Sequence, residues 1–146
     1  MPHYLQKSRG FTLIELMIVV VILGVLATIA LPRIMDRPEQ ARRTKAAVDI
    51  RNIESALALF KTDTGRYPTT AEGLNALVVN PGIPNYNASG YLEKLPIDPW
   101  GKPYIYICPG LHGKGDYDIK SFGPDGESGG QGLNADIESW NLDNFR

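Results

Sequence analysis

Cysteine and histidine are almost absent from this sequence. Cys108 is the only cysteine among 146 residues, so no disulfide can form within the chain. The two histidines, His3 and His112, are far apart and have no neighbouring Cys or His, which argues against a zinc site. Small exported domains commonly depend on disulfides or a metal ion, so an exported form of this domain would need another source of stability.

The charge of the chain is nearly balanced. Fifteen Lys and Arg face sixteen Asp and Glu, for a formal net charge of −1, so no overall field favours nucleic acid. The sequence also contains no phosphate-binding loop, dinucleotide fingerprint or nucleophile elbow. We therefore expect neither an enzyme nor a nucleic-acid partner. The basic run Arg42-Arg43-Lys45 is interpreted as a solvated helix face or an ion-pair surface between subunits.

A long apolar run is the strongest physical signal in the chain. It extends from Phe11 to Leu31 and follows a short basic stretch, Lys7-Ser8-Arg9-Gly10. About 20 helical residues suffice to cross a bilayer. The run is too long for the apolar part of a secretory signal peptide, and no A-x-A-like cleavage site follows it. These features predict a membrane helix over 11–32 that remains on the mature protein.

Glu15 is a carboxylate near the start of that apolar run. A charge at hydrocarbon depth costs about 2.5–3.5 kcal/mol or more, so a plain membrane anchor gains nothing from it. One interpretation places Glu15 close enough to the membrane surface to reach water. The other pairs it with a cation on a neighbouring subunit, because within one helix the side chain is expected to reach its own N-terminus poorly.

A second helical pattern follows the apolar run. Apolar residues recur there at spacings of three and four, as on one face of an amphipathic helix. They are Ala46, Ile50, Ile53, Leu57 and Phe60. Pro32 predicts a kink or local melting between the two helical parts, and Gly65 and Pro68 predict the end of the second part. The rest of the chain must cover the apolar stripe, so 33–146 is expected to form one globular domain.

The remainder of the chain predicts turns and a small sheet. Thr69 and Glu72 fit a capping box before a short helix, and residues 98–101 fit a type I turn. Residues 103–108 and 117–122 predict two strands. The tail beyond them predicts a glycine-rich loop whose last apolar residues return to the core. A long helix followed by a small sheet belongs to the α+β fold class.

The junction between the basic stretch and the apolar run resembles the processing site of type IV pilins and pseudopilins. The resemblance is carried by Gly10-Phe11-Thr12-Leu13-Ile14-Glu15. In that family a prepilin peptidase cuts after the glycine and methylates the new N-terminal Phe, which implies a removed leader over 1–10. The resemblance also implies that Glu15 serves filament assembly by pairing with the Phe11 ammonium of a neighbouring subunit. Such a pair attracts strongly at low dielectric constant.

Later blocks of sequence narrow the resemblance to the major pseudopilin of type II secretion systems. They are Arg66–Thr70, Leu95–Tyr104, Ser121–Gly126 and Ala135–Ile137. The resemblance implies a type IV pilin-like fold: a long N-terminal helix, transmembrane and then amphipathic, packed on a small antiparallel sheet with a calcium-braced C-terminal loop. It implies a homopolymeric filament, the pseudopilus, that drives export of folded proteins across the outer membrane.

The same resemblance implies partners and a location. The partners are minor pseudopilins, the prepilin peptidase and an inner-membrane assembly platform. The subunit is expected to cross the bacterial inner membrane once, with the globular part over 33–146 in the periplasm. Charge alone does not settle this orientation, because basic residues flank both ends of the apolar run.

The glycine-rich tail contains candidate calcium ligands. Composition alone favours a flexible polar tail, because the acidic spacing is not that of an EF-hand loop. The resemblance implies a calcium site here that uses two Asp carboxylates and a Phe backbone carbonyl. The candidate ligands are Phe122, Asp125, Ser128, Asn134 and Asp136. Ala135 departs from the paired-Asp pattern of some family members, so Asn134 or Ser128 is left to supply a further oxygen.

Two alternative functions remain open from the sequence. The first is a subunit of a type IV pilus or a related pilin, serving adhesion, motility or DNA uptake. It predicts a larger variable domain and a disulfide, and a single cysteine argues against it. The second is a membrane-anchored periplasmic binding module or enzyme, which would need a pocket with convergent polar groups and would not need Gly10 or Glu15.

Overall fold

The computed structural model of the chain describes residues 10–112 and 115–145, and its account of side chains leaves out 29–36 and 144–145. The chain divides into two compact units, Met1–Pro38 and Glu39–Arg146. The expected leader over 1–10 lies outside the described residues except for Gly10. The boundaries of the leader and of the membrane segment therefore stay predictions.

Helix α1 extends from Leu13 to Thr64. It is followed by Gly65, whose φ of 79° lies in the left-handed region and whose amide donates to the Lys61 carbonyl at 2.8 Å. This is the helix end that Gly65 predicts. The helix passes through Pro32 without ending, so the expected local melting is absent. A proline removes only one helical hydrogen bond, and the turns on either side maintain the helix.

The large apolar side chains at the start of α1 are exposed in the single chain. Between Leu13 and Leu26 their exposure ranges from 48% at Val19 to 77% at Leu13. A contiguous apolar surface of this kind marks a site of contact with a membrane or another protein. Among the residues whose side chains are described, no helix combines the length and hydropathy required to span a membrane.

The later part of α1 supplies the core of the unit over 39–146. The predicted apolar stripe is confirmed, because Ile50, Ile53, Leu57 and Phe60 are fully buried. They belong to one cluster that also contains Leu77, Tyr104, Tyr106, Ile119 and Ile137. Burial of each such side chain stabilises a fold by about 1.5–3 kcal/mol. The stripe is therefore the main attachment between the helix and the rest of this unit.

Three short antiparallel strands form the sheet: β1 over Ile105–Ile107, β2 over Asp118–Ser121 and β3 over Ile137–Glu138. β2 lies in the middle, and Ser121 is opposite Ile137. The first two strands lie inside their predicted ranges. The third lies in the tail predicted as loop, because two residues are too few to show a period-two pattern. The α+β fold class is confirmed.

The capping box predicted after α1 is present. The Thr69 amide donates to the Glu72 carboxylate at 2.7 Å, and the Glu72 amide donates to the Thr69 hydroxyl at 3.2 Å. The same carboxylate accepts two hydrogen bonds of 2.7 Å from the Arg66 guanidinium. This arrangement precedes a short 3-10 helix over Leu74–Leu77. It orders the connection that covers α1.

The turn predicted over 98–101 is also present. The Gly101 amide donates to the Asp98 carbonyl at 3.0 Å, which closes it. The Asp98 side chain is buried. It accepts hydrogen bonds from the Lys102 amide at 2.7 Å and from the Ser121 hydroxyl at 2.6 Å. The buried carboxylate thus attaches the turn to β2.

Candidate functional site

The N-terminal candidate site is accessible in the structure. Gly10 is exposed, and apart from its chain neighbours no atom of the described residues lies within 4 Å of the position that a Cβ on this residue would occupy. The Phe11 side chain that follows is 82% exposed. A glycine lets a backbone approach another protein closely, and the described residues leave the peptide bond between Gly10 and Phe11 accessible.

Glu15 caps the N-terminus of its own helix. Its Oε2 accepts hydrogen bonds from the Thr12 amide at 3.0 Å and the Thr12 hydroxyl at 2.9 Å, while the Glu15 amide donates to that hydroxyl at 3.3 Å. This is a capping box, which satisfies two amides at the helix end. These contacts involve Thr12 and not the amine of Phe11, so the expectation that Glu15 reaches the N-terminus of its own processed chain poorly stays a prediction.

The capped carboxylate remains accessible from outside the chain. Glu15 is exposed, and its hydrogen bonds with Thr12 come from neutral groups that leave its negative charge uncompensated. A cation from a neighbouring molecule can therefore reach it. The pairing of Glu15 with Phe11 of another subunit stays a prediction.

The C-terminal loop is closed by Asp136. Its Oδ2 accepts from the Gly129 amide at 3.0 Å, and its own amide donates to the Gly129 carbonyl at 3.0 Å. The side chain is only 5% exposed, and Oδ1 has no hydrogen-bond partner among the described residues. Leaving a buried polar atom unsatisfied costs about 1–3 kcal/mol, and more for a charged group. This oxygen is therefore the strongest candidate ligand for a cation in the loop.

An ammonium group already lies beside the oxygens of two predicted ligands and over the ring of a third residue, Phe122, whose predicted ligand is its backbone carbonyl. Lys120 of β2 places its Nζ 3.2 Å from the Ser128 hydroxyl oxygen, 3.8 Å from Asp136 Oδ2 and 4.8 Å from the Phe122 ring centroid. Its side chain is only 21% exposed, although lysine is usually a surface residue. The structure thus brings the predicted ligand oxygens of Ser128 and Asp136 together at one positive charge, with the Phe122 ring beside it.

The other two predicted ligands make local contacts. Asp125 Oδ1 accepts from the Glu127 amide at 3.2 Å, and Asn134 ends a 3-10 helix over Gly132–Asn134. Among the described residues, no three Asp, Glu, His or Cys side chains are grouped so that they could hold a metal. A calcium site here would have to add carbonyl, amide and hydroxyl oxygens to the carboxylates of Asp125 and Asp136, as calcium sites commonly do.

Arg43 of α1 holds the carbonyl groups of the loop. Its Nη1 donates to the Leu133 carbonyl at 2.8 Å and also to the Ala135 carbonyl. Arg43 is only 7% exposed, so the interpretation of the whole basic run as a solvated face is wrong at this residue. Burial lowers the pKa of the Arg43 guanidinium by desolvation, and the nearby carboxylates of Glu39 and Asp136 oppose that shift.

The helical spacing contains a signal for this role of Arg43. The residue precedes Ala46 by three positions and Ile50 by seven, so it lies on the apolar stripe itself. A guanidinium on such a stripe must find acceptors within the core, because burying it without partners is unfavourable. The loop carbonyls are those acceptors.

Comparison with known proteins identifies the family. Residues 33–140 match the family model described as Type II secretion system (T2SS), protein G. The chain belongs to this protein G family. Residues 5–31 match the model of the prokaryotic N-terminal methylation motif. The resemblance to the major pseudopilin of type II secretion, stated above from the motifs, is thereby confirmed.

Relatives named Type II secretion system core protein G match almost the whole chain. The Type II secretion system core protein G of Pseudomonas aeruginosa is 50% identical over 139 residues, which are 92% of this chain and 96% of the relative. Its counterpart in Vibrio cholerae is 46% identical over 145 residues, with coverage of 97% and 98%. The Escherichia coli protein is 48% identical over 141 residues, with coverage of 94% for both chains.

A solved structure agrees with the fold. The crystal structure of the major pseudopilin from the type 2 secretion system of enterohaemorrhagic Escherichia coli matches with a TM-score of 0.62 and 41% identity. The match covers 73% of this chain and 92% of that one. Membership of this family, together with the methylation motif, implies a processed subunit of a membrane-anchored pseudopilus. The family is a structural one, which is consistent with a chain that is not an enzyme.

Proposed function

We propose that this protein is the major structural subunit of the type II secretion pseudopilus and has no enzymatic activity. Copies of the chain polymerise into a helical filament that drives export of folded proteins across the outer membrane. The observation that carries this proposal is the start of α1, where the apolar side chains between Leu13 and Leu26 are exposed next to an accessible Gly10–Phe11 junction. A filament of identical subunits provides a cover for that surface.

Before assembly, the subunit crosses the bacterial inner membrane once, with its globular part over 33–146 in the periplasm. A prepilin peptidase removes residues 1–10 and methylates Phe11. The new N-terminal amine is positively charged at neutral pH. Processing therefore creates a cation four residues from Glu15, at the start of an apolar segment.

Assembly then changes the partner of Glu15. In the single chain its carboxylate caps Thr12, and in the filament it pairs with the Phe11 ammonium of a neighbouring, axially shifted helix. The two charges cancel in apolar surroundings, where either charge alone is costly. The pair also sets the stagger between neighbouring helices. Minor pseudopilins and an inner-membrane assembly platform are the further partners.

We also propose that the C-terminal loop binds calcium. The chemistry of the residues fits: Asp136 has a buried oxygen that receives no hydrogen bond from the described residues, and Asp125 offers a second carboxylate. Ser128, Asn134 and the Phe122 carbonyl supply further oxygens of the kind that calcium prefers. When bound, the ion supplies a double positive charge that holds these oxygens together. The bound ion would thereby fix the loop in place, a role that disulfides have in other small exported domains.

Deletion of the gene from its host, followed by complementation, tests the function. Cells without the chain should accumulate folded secretion substrates in the periplasm, and the unmodified chain should restore export. Mass spectrometry of the restored protein should show the loss of residues 1–10 and the addition of one methyl group. Normal export by the deleted strain would contradict the proposal.

A further inference from the structure

We propose that the ammonium of Lys120 is a built-in cation of the C-terminal loop, which competes with a divalent ion for the oxygens of Ser128 and Asp136. The inference rests on the proposed calcium site and deepens it. The lysine holds the loop when no metal is bound, and it sets the calcium concentration that is needed to replace it.

Strand β2 directs Lys120 to the loop. Successive side chains of a strand point to opposite faces, and Ile119 and Ser121 are buried on the core side. Lys120 therefore lies on the other face, where the residue opposite it on β3 is Glu138. Glu138 is itself half-buried. The ammonium thus lies among acidic groups that are partly removed from water.

The ammonium and a calcium ion would compete for Ser128 Oγ and for the Asp136 carboxylate, where the ammonium lies beside Oδ2 and Oδ1 has no hydrogen-bond partner among the described residues. Nζ lies 3.2 Å from Ser128 Oγ and 3.8 Å from Asp136 Oδ2, whereas calcium binds oxygen at about 2.3–2.6 Å. An ion at bonding distance from Ser128 Oγ would lie at most about 6 Å from Nζ, where two positive charges repel. The lysine must withdraw first, and its flexible four-carbon stem allows this.

The loop already has basic groups that balance its acidic side chains. The acidic side chains are Asp125, Glu127 and Asp136, with Glu138 opposite Lys120, and the basic ones nearby are Lys102, Lys120 and Arg43. The Lys102 ammonium covers Gly126 at the position that a Cβ would take, and Arg43 binds two loop carbonyls. These basic groups offset part of the negative charge of the loop without a metal, so calcium binds more weakly than the oxygens alone would allow.

Calcium titration of the full chain in detergent micelles tests this competition. Lys120→Met removes the charge and keeps a long side chain, and Lys120→Arg keeps the charge. The exposed Lys94 gives a matched control, Lys94→Met, which removes one positive charge elsewhere in the same unit. We expect Lys120→Met to bind calcium at least about tenfold more tightly than the unmodified chain, with the other two variants within about threefold.

Proteolysis reports on the loop without metal. A glutamyl endopeptidase can cut after the exposed Glu127. In a chelator, Lys120→Met should be cut several times faster than the unmodified chain, because the ammonium that holds Ser128 and Asp136 is gone. Added calcium should protect the variant more than it protects the unmodified chain. Lys120→Gln is a second neutral variant, used if the circular dichroism of Lys120→Met is not native.

The outcomes separate this inference from the calcium site. Equal calcium affinity of Lys120→Met and the unmodified chain would overturn the inference and leave the site intact. An equal gain in Lys94→Met would also overturn it, since overall charge would then explain the effect. If no variant binds calcium at millimolar concentration, the site and the inference fail together. Binding by Lys120→Met alone would support the inference and show that the ammonium closes the site in the unmodified chain.

Discussion

The two parts of helix α1 carry the same kinds of side chain but differ in what covers them. Ile18 and Ile22 near its start are 53% and 52% exposed, whereas Ile50 and Ile53 in its later part are fully buried. The later part belongs to the cluster formed with the sheet and the connections. One part of the helix thus stabilises the domain, and on the proposed function the other part is left for the membrane and for neighbouring subunits.

Two carboxylates show a related contrast. Glu15 is exposed and caps Thr12 through neutral donors, so it can exchange that cap for a cation on another subunit at little cost. Asp136 is buried, and its Oδ1 has no hydrogen-bond partner among the described residues. A cation beside Asp136 is therefore favourable both in the single chain and in the filament. The first carboxylate is suited to assembly and the second to holding a loop.

The largest effect is expected from Gly10→Val, because it should block cleavage after residue 10. Without cleavage, the early part of α1 cannot assemble into the filament. A branched side chain obstructs the close approach of the backbone to the peptidase, so only the full-length precursor should accumulate on an immunoblot. Gly24→Ala is the matched control, because beyond its own stretch of helix no atom of the described residues lies within 4 Å of its Cβ position. Normal amounts of mature Gly10→Val protein would show that the cleavage site is misassigned.

Glu15→Ala should abolish filaments and export while leaving membrane insertion and the fold of the unit over 39–146 intact. The variant removes the partner of a neighbouring Phe11 ammonium, which is then uncompensated in apolar surroundings. Filament counts by electron microscopy measure the effect. Thr12→Val, which removes the hydroxyl of the cap and keeps the carboxylate, should retain filaments. An equal loss in Thr12→Val would mean that Glu15 acts only as a helix cap.

A pair of isoleucine variants tests the contrast within α1 directly. Ile53→Ala should lower the free energy of unfolding by about 2–5 kcal/mol, because it leaves a cavity in the core. Ile18→Ala should change it by less than about 0.5 kcal/mol and should act instead on filament yield. Urea denaturation of both full chains in detergent micelles measures the difference. Equal losses of stability would break the comparison.

Calcium should stabilise the loop of the unmodified chain. Free calcium at a hundredfold excess over its dissociation constant contributes about 2.7 kcal/mol by linkage, so a chelator should lower the melting temperature. Asp136→Ala should remove most of that response. Glu127→Ala, which removes another acidic charge of the same loop, should retain it. Coincident melting curves in calcium and in chelator would leave the loop without a metal.

The smallest effect concerns acid stability through Glu72. Hydrogen bonds from the Arg66 guanidinium, and then from the Thr69 amide, lower the pKa of this carboxyl from 4.5 to about 2. A carboxyl whose pKa is lowered on folding stabilises the protein at pH values above the pKa that the group has in the unfolded chain. That contribution is lost as the pH falls from about 4.5 towards 2. Because the pair is partly exposed, we expect about 0.5–1 kcal/mol.

Glu72→Gln measures this contribution. Its free energy of unfolding should be lower than that of the unmodified chain at pH 7, and the two values should converge towards pH 2. Glu93→Gln, at an exposed position, serves as the control and should follow the unmodified chain. A constant difference between Glu72→Gln and the unmodified chain from pH 7 to pH 2 would assign the effect to packing.

The regular elements of the fold were predictable because each has a local pattern. The spacing of Ile50, Ile53 and Leu57 predicts the buried face of α1, and Thr69 and Glu72 predict the capping box. Strand β3 was not predictable, because its two residues show no periodicity. Its place depends on pairing with β2, more than ten residues away in the sequence.

The candidate site was predictable only in part. Its acidic residues could be taken from the resemblance, and Arg43 had a signal in its position on the apolar stripe. Lys120 had none, because an outward position on a strand is ordinary for a lysine. Its role follows from contacts with Ser128 and Asp136, which the tertiary fold alone brings within reach.

The central claim is that the early part of α1, with Glu15, is completed by a neighbouring copy of the chain. Electron cryo-microscopy of filaments assembled from the unmodified protein tests it most directly. The account predicts a Glu15 carboxylate oxygen within about 3–4 Å of the Phe11 nitrogen of an adjacent subunit, with the apolar side chains of Ile18 and Ile22 buried between helices. A filament in which Glu15 still caps Thr12, with no neighbouring amine beside it, would contradict the claim.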